Sequence, residues 1–269
     1  MIDDLVPDAL WERVVPLLPV PKPRPRLHHG RRRLDDRAAL AGIVFVLKYG
    51  VGWAQVPKHA LGVSGVTCWR RLREWTEAGV WPKLHQILLA ELRRNGLLNL
   101  DDMSVDGSHV RALKRGDQTG PSPVDRGRAG SKHHLIVDGN GVPLQITLTG
   151  GNRHDVTQLL PLVDSLPRIK GVVGRPRHKP KILYADRGYD YDKYRRELRE
   201  RGIVPKIARR GVAHGSGLGT KRWVVERAFA WLHHFKRLRT RYETRADLHL
   251  GLMQLACAII CCRKLPPAF

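Results

Sequence analysis

Cysteine is scarce in this chain. Only Cys68, Cys257, Cys261 and Cys262 occur in 269 residues. None forms a CxxC pair, so neither a zinc ribbon nor a disulfide framework is indicated. Three of the four lie in an apolar C-terminal segment and read as inert buried thiols of a reducing compartment. Long apolar runs are missing too. The longest, Gly251–Cys262, falls short of the roughly 20 residues that a bilayer-spanning helix needs. Met1–Leu10 carries Asp3, Asp4 and Asp8 and so does not read as a secretory or transit leader. The expectation is a cytoplasmic protein with no membrane partner.

Acidic charge is the other shortage. The chain has 25 Asp+Glu against 48 Lys+Arg, a formal net charge of +23. Such an excess implies an anionic partner, nucleic acid or an anionic membrane surface. Residues 1–100 hold 16 bases and 9 acids, and the rest of the chain 32 and 16. The excess is therefore no single basic tail, and both halves are equipped to touch phosphate. With 42% hydrophobic residues, the length suits one large domain or two modest ones with a real core.

The first hundred residues read as helices. Residues 1–18 show helical spacing (Leu10, Trp11, Val14, Val15, Leu18), with Pro7 in the first turn. Pro19–Arg33 is a Pro- and Arg-rich arm, either a solvated linker or a strand of chain laid along DNA. A helix capped by Asp35 or Asp36 runs to about Lys48 and stops at Gly50. After a turn containing Pro57 and Gly62, Ser64 or Thr67 opens a helix to about Glu77. Trp69, Leu72 and Trp75 face inward there, with Arg70, Arg71 and Arg73 on the other faces. Pro82 begins a further helix ended by Gly96. A helix, a turn and a basic helix fit a helix-turn-helix reader of DNA, although a plain bundle with a solvated arginine face has the same pattern.

The pattern changes near residue 101. Met103–Val110 reads as a strand, Arg111–Ser131 as a long basic loop, and Lys132–Val137 with Pro143–Thr149 as a hairpin about Asp138–Gly141. Asp155 with Gln158 resembles a capping box. Beyond the basic loop Pro167–Pro180, Lys181–Ala185 is a strand, Tyr191–Arg201 a helix and Ile203–Ile207 a strand. The Gly-rich loop His214–Gly219 leads into a long helix from about Lys221 to Leu238. Asp247–Arg263 is an apolar helix. Strands followed by alternating strand and helix mean an α/β layer domain with a mixed sheet.

Two carboxylates stand out on this frame. Asp106 lies within an apolar strand, where an acid is costly to bury without a partner or a metal. Asp186 ends a strand just before Gly188, where active sites of open α/β sheets collect. Each has a plain alternative as a strand-end cap. Glu226 is more telling. At ~100° per residue, Val224, Ala228, Trp231, Phe235 and Leu238 form a packing stripe opposite it, which makes Trp231 a core residue. Arg222, Ala230, His233 and Arg237 share its face. Intrahelical ion pairing on a solvated face is the alternative. Three carboxylates from two strands and a helix, in a basic protein, suit a divalent-metal site. Mg²⁺ prefers oxygen ligands, and two such ions ~3.5–4 Å apart can activate an attacking oxygen and stabilise a leaving one on phosphate.

At this point the residues resemble a known family, the insertion sequence 5 family of bacterial transposases with an Asp-Asp-Glu triad. Asp106, Asp186 and Glu226 match the triad, with spacings of 80 and 40 residues. RGRAGSKHHLIVDGNGVPLQITLTGGNRHD (126–155) is similar to the stretch between the first two acids. ADRGYD (185–190) is similar to the second-acid motif, and RWVVERAFAWLHHFKRLRTRYE (222–243) to the third-acid helix. DDRAALAGIVFVLKYGVGWAQVP (35–57) and WRRLREWTEAGVW (69–81) resemble the family's N-terminal helical domain. The resemblance covers nearly the whole chain, with residues 19–33 matching least.

The resemblance implies an α/β, ribonuclease-H-like catalytic domain (99–269), preceded by an all-α, helix-turn-helix-like DNA-binding domain (1–98). It implies Mg²⁺ or Mn²⁺, as two ions, held by Asp106, Asp186 and Glu226, and the breaking and joining of double-stranded DNA at insertion-sequence ends. A homodimer holding two ends and association with the nucleoid are further implications. Arg222, His233 and Lys236 or Arg237 are candidates to hold phosphate near the acids, and Arg70, Arg71 and Arg73 to hold DNA in the N-terminal region. His154 either lines the site or makes a structural hydrogen bond. The rival readings are an inactive, transposase-derived DNA-binding regulator and a stand-alone metal-dependent nuclease.

Overall fold

A computed structural model describes residues 1–20, 33–212 and 217–266. The Pro/Arg arm and part of the Gly-rich loop before the long helix therefore lie outside the described residues. The chain opens with α1 (Ile2–Leu5) and α2 (Asp8–Val14), not one helix over 1–18. Pro7, in an extended conformation (ψ 153°), separates them and stands at the N-cap of α2, because proline has no amide hydrogen to continue the helical ladder. The Asp35 carboxylate accepts hydrogen bonds from the amides of Arg37 (3.1 Å) and Ala38 (3.2 Å). It thereby caps α3 (Asp36–Tyr49), which ends at Gly50 in the left-handed region, φ 73°. The short α4 (Lys58–Leu61), the three-residue turn 62–64 and α5 (Gly65–Glu77) follow. Helix α6 (Val80–Arg94) starts two residues before Pro82, which sits harmlessly in its first turn.

The second part of the chain builds a sheet. Its strands are β1 (Asp102–Ala112), β2 (Gly120–Pro121), β3 (Ala129–Asp138), β4 (Pro143–Gly150), β5 (Ile182–Ala185), β6 (Val204–Ile207) and β7 (Thr240–Arg241). The main order is β4-β3-β1-β5-β6. The first three strands run antiparallel, and β5 and β6 run parallel to β1. Helices α7 (Leu159–Asp164), α8 (Asp192–Glu200), α9 (Gly219–His234) and α10 (Ala246–Cys262) surround it. The sheet is thus mixed, antiparallel on one side and parallel on the other, with helices around it and an all-helical region before it.

Helix α9 ends four residues earlier than its apolar period suggests. Phe235 leaves helical geometry (ψ 94°), and Lys236–Leu238 form a separate 3-10 turn. The packing stripe of α9 is Val224, Val225, Ala228, Phe229 and Leu232, so Trp231 moves to its edge and is half-buried, correcting its placement in the core.

One apolar core runs through the whole protein. Helix α10 is buried on nearly all sides, from Leu248 to Cys261. It packs on α6 and on β4. Gly251 permits this approach, since a Cβ there would lie 2.7 Å from Thr76 Oγ1 and 3.1 Å from the Trp81 ring. The buried His85 of α6 bonds through Nε2 to the carbonyl of Pro143 at 2.8 Å. Its burial pushes the imidazole down to about 4, so it is neutral there. Cys68, Cys257 and Cys261 are buried and unpaired. Among the described residues no helix is long and apolar enough to cross a membrane.

Candidate active site

Strands β1 and β5 pair in parallel, with Asp102 beside Ile182, Met103 beside Leu183 and Ser104 beside Tyr184. The register offset is the same 80 residues that separate Asp106 from Asp186. Two residues beyond the last paired rung, both acids therefore stand at the same level, Asp106 within β1 and Asp186 just past the carboxyl end of β5. Asp106 Oδ1 accepts from the amide of Gly107 at 2.8 Å. Asp186 Oδ1 accepts from the amide of Gly188 at 2.8 Å and caps the 3-10 turn Arg187–Tyr189.

The pocket disfavours negative charge on Asp106. Burial, reinforced by the charge of Asp186, pushes its carboxyl up to about 6, against the opposing pull of the Gly107 amide and Arg222. Tyr189 is buried beneath it with no partner for its hydroxyl. Burial and the charges of Asp106, Asp155 and Asp186 hold that phenol well above its ordinary value.

A fourth carboxylate, Asp155, lies close enough for its charge to raise Asp106 further. Asp155 does not cap the turn it begins, as its spacing from Gln158 suggests. Its side chain instead reaches Lys132 Nζ at 3.1 Å and comes 3.7 Å from His134 Nδ1. It also presses on β1, where a Cβ at Gly107 would fall 2.7 Å from Asp155 Oδ1. Both Asp155 oxygens lie 3.1 Å from the Lys132 ammonium. The sequence signal for this residue was the capping pattern, which has the right residue type but the wrong target.

Glu226 stands on α9, across from the aspartates. Ser104 Oγ donates to the carbonyl of Lys221 at 3.3 Å, docking the start of α9 onto β1. One Arg222 guanidinium nitrogen lies 3.9 Å from Asp106 Oδ2 and 4.0 Å from Glu226 Oε1. Arg222 is thus the link between the third acid and the pair. Glu226 itself is 63% exposed. Among the described residues no three His, Cys, Asp or Glu side chains converge tightly enough to form a ready-made metal cage.

The other basic candidates divide. His233 shares the α9 face with Glu226 and is half-buried. Its imidazole is lowered by burial and by Arg239. Arg237 points away. It is buried, bonded to Glu243 Oε1 at 2.7 Å and to the Val51 carbonyl at 3.0 Å. Its helical-wheel position lost meaning when α9 ended at His234. Lys236 is exposed. In α5, Arg70 and Arg73 are exposed, and Arg73 lies 5.4 Å over the Trp69 ring. Arg71 is occupied by Asp36 and Glu74, both at 2.8 Å. His154 is exposed, 3.5 Å from the Tyr191 hydroxyl.

Comparison with known proteins gives concordant results. Residues 100–261 match the family model described as the transposase DDE domain. Residues 6–85 match a model for transposases assigned to the IS4/5 family. The protein assigned as the transposase of insertion sequence element IS402 from Burkholderia cepacia is 59% identical over 144 residues, covering 54% of this chain and 68% of its own. An uncharacterised 16.2 kDa protein of the same element is 46% identical over 123 residues, covering 46% of this chain and 84% of its own. Among solved structures, the Mos1 strand transfer complex matches at 14% identity and a TM-score of 0.33, over 91% of this chain and 83% of that one.

Proposed function

The chain belongs to the transposase DDE-domain family, and from that membership we propose that it binds the ends of an insertion sequence and cuts and joins DNA there. The observation that carries this reading is the shared level of Asp106, within β1, and Asp186, just past the carboxyl end of β5. The residues fit a divalent cation. All the acidic donors are oxygen atoms, as Mg²⁺ and Mn²⁺ prefer. The raised Asp106 carboxyl marks a site short of positive charge.

Asp106, Asp186 and Glu226 would hold the divalent cations, which would supply Lewis-acid activation of the attacking oxygen and charge stabilisation on the phosphate. Water attacks a phosphodiester at the element end and frees a 3′-OH, which then attacks target DNA. Within this chain, the shared level of Asp106 and Asp186 would fix where the cation, and through it the phosphate, is held. Arg222, released from the acids, binds a non-bridging phosphate oxygen, and His233 supports the same strand. Arg70 and Arg73 on α5 hold the duplex at a distance from the cut. Synapsis of two ends calls for two copies of the chain, and such binding places it on the nucleoid.

The test uses a supercoiled plasmid with and without the element ends, in Mg²⁺ or Mn²⁺. Wild-type protein cleaves at the ends and joins. Asp186→Asn abolishes cleavage while retaining end binding within a few fold. Normal cleavage by that variant refutes the site. Cleavage without regard to the ends identifies a nuclease instead, and binding without cleavage by wild type identifies a regulator.

A further inference from the structure

We propose that the segment between β1 and β3, residues 113–128, forms a preshaped arginine cradle that grips the phosphate backbone of duplex DNA at a distance from the acids. Arg111, Arg115, Arg126 and Arg128 line an open cleft of about 480 Å³. One acid, Asp125, faces them, 2.8 Å from Arg111 and 4.0 Å from Arg128. Among the described residues no carboxylate pairs with Arg115 or Arg126. Planar guanidinium forks suit phosphate oxygens in bidentate contact.

The backbone gives the second, independent observation. Arg115 (φ 54°), Gln118 (φ 56°) and Arg126 (φ 50°) adopt the left-handed conformation, which favours glycine over any residue with a side chain. Strain of this kind clusters at ligand-holding sites. Arginine at two such positions puts a charged fork where the backbone alone would be easier to fold.

The segment is also tied down. The Gln118 carbonyl accepts from Ser131 Oγ at 2.8 Å and from the buried Arg241 at 3.0 Å. The Asp117 amide donates to the Thr244 carbonyl at 3.1 Å. The Ser122 amide donates to the Arg128 carbonyl at 2.8 Å, and the Gly127 amide to the Ser122 carbonyl at 2.9 Å. A Cβ on Gly116 would lie 2.1 Å from the Thr244 carbonyl oxygen. The long basic loop expected from composition is thus a built structure.

Its position suits the role. Arg111 lies five residues beyond Asp106 on β1, about 17 Å along the strand, toward the end of the sheet where β5 delivers Asp186. The odd offset turns the Arg111 side chain to the face of β1 opposite Asp106, so the cleft holds the duplex at a distance from the cut. The inference rests on the DNA chemistry proposed above.

Arg115→Gly and Arg126→Gly, made singly and together in the full chain, separate a ligand role from a structural one. Glycine relieves the left-handed backbone, so the melting temperature holds or rises. Affinity for a duplex carrying the element end is measured by fluorescence anisotropy across a salt series. Each lost phosphate contact makes the log–log salt slope shallower by about 0.9, so the double variant shifts it by about 1.8. An unchanged slope in a double variant, with wild type still binding and cleaving, overturns the cradle alone. A fall in melting temperature with an unchanged slope does the same and assigns the arginines to loop architecture. Absence of duplex binding by wild type removes the cradle together with the DNA reading.

Discussion

Asp106 illustrates how a side chain useful for chemistry weakens the fold that carries it. Its carboxyl sits at about 6 in the folded chain against an ordinary 3.8, chiefly through burial. The folded state therefore binds this proton more tightly than the unfolded state. The contribution is fully favourable below the ordinary value and is lost as pH rises through about 6. Without metal, the cost at neutral pH is on the order of 2–3 kcal/mol. Asp106→Asn should therefore raise stability at pH 7 in denaturant titrations, with the gain fading toward pH 4, while abolishing cleavage. A variant less stable than wild type at pH 7 would mean that the contact with Arg222 outweighs burial. The level shared by Asp106 and Asp186 was legible in the sequence because strand and turn contexts each isolate one acid, while the part of Glu226 rests on the proposed function. Asp155 was not legible in its role, since a carboxylate at the start of a helical turn reads as a cap until the fold puts Gly107 and His134 beside it.

Individual elements were easiest to read where side-chain chemistry marks their ends. Asp35, Gly50 and Ser64 each do at the backbone what their residue types suggest. Apolar periodicity was a poorer guide to endings. Phe235 and Leu238 are buried whether the chain continues as a helix or turns, so the pattern overran α9 and carried Arg237 onto the wrong face. Pro7 was legible as a helix starter, but not as a divider between two short helices.

Helix α5 makes a sharper test of packing. A Cβ on its first residue, Gly65, would fall 1.7 Å from the Trp53 carbonyl oxygen. Gly65→Ala should push α5 away from the 53–55 turn and cost at least about 2 kcal/mol, as overpacking does. Guanidinium unfolding measures this as a lowered midpoint. A neutral substitution would show that the approach of helix to turn is looser than described.

Across the whole molecule, the net charge of +23 is distributed over both parts of the chain. A duplex held by α5, by the cradle and by Arg222 makes at least six phosphate contacts on this reading. The logarithm of its affinity should therefore fall with the logarithm of salt concentration at a slope steeper than about −5. Anisotropy titrations between low and moderate salt read it directly, and a shallow slope would confine the contacts to one of these places.

Helix α10 has a consequence for how the molecule comes into being. It lies between α6 and β4 and is the last element of the common core. The glutamate that buttresses it, Glu243, is buried between His249 and Arg237. Until the ribosome has delivered this helix, the early helices and the sheet each expose the surface they will share. Neither half can settle by itself, and a product cut short before residue 246 should be cleared by proteases instead of lingering as a DNA-binding competitor of the intact enzyme.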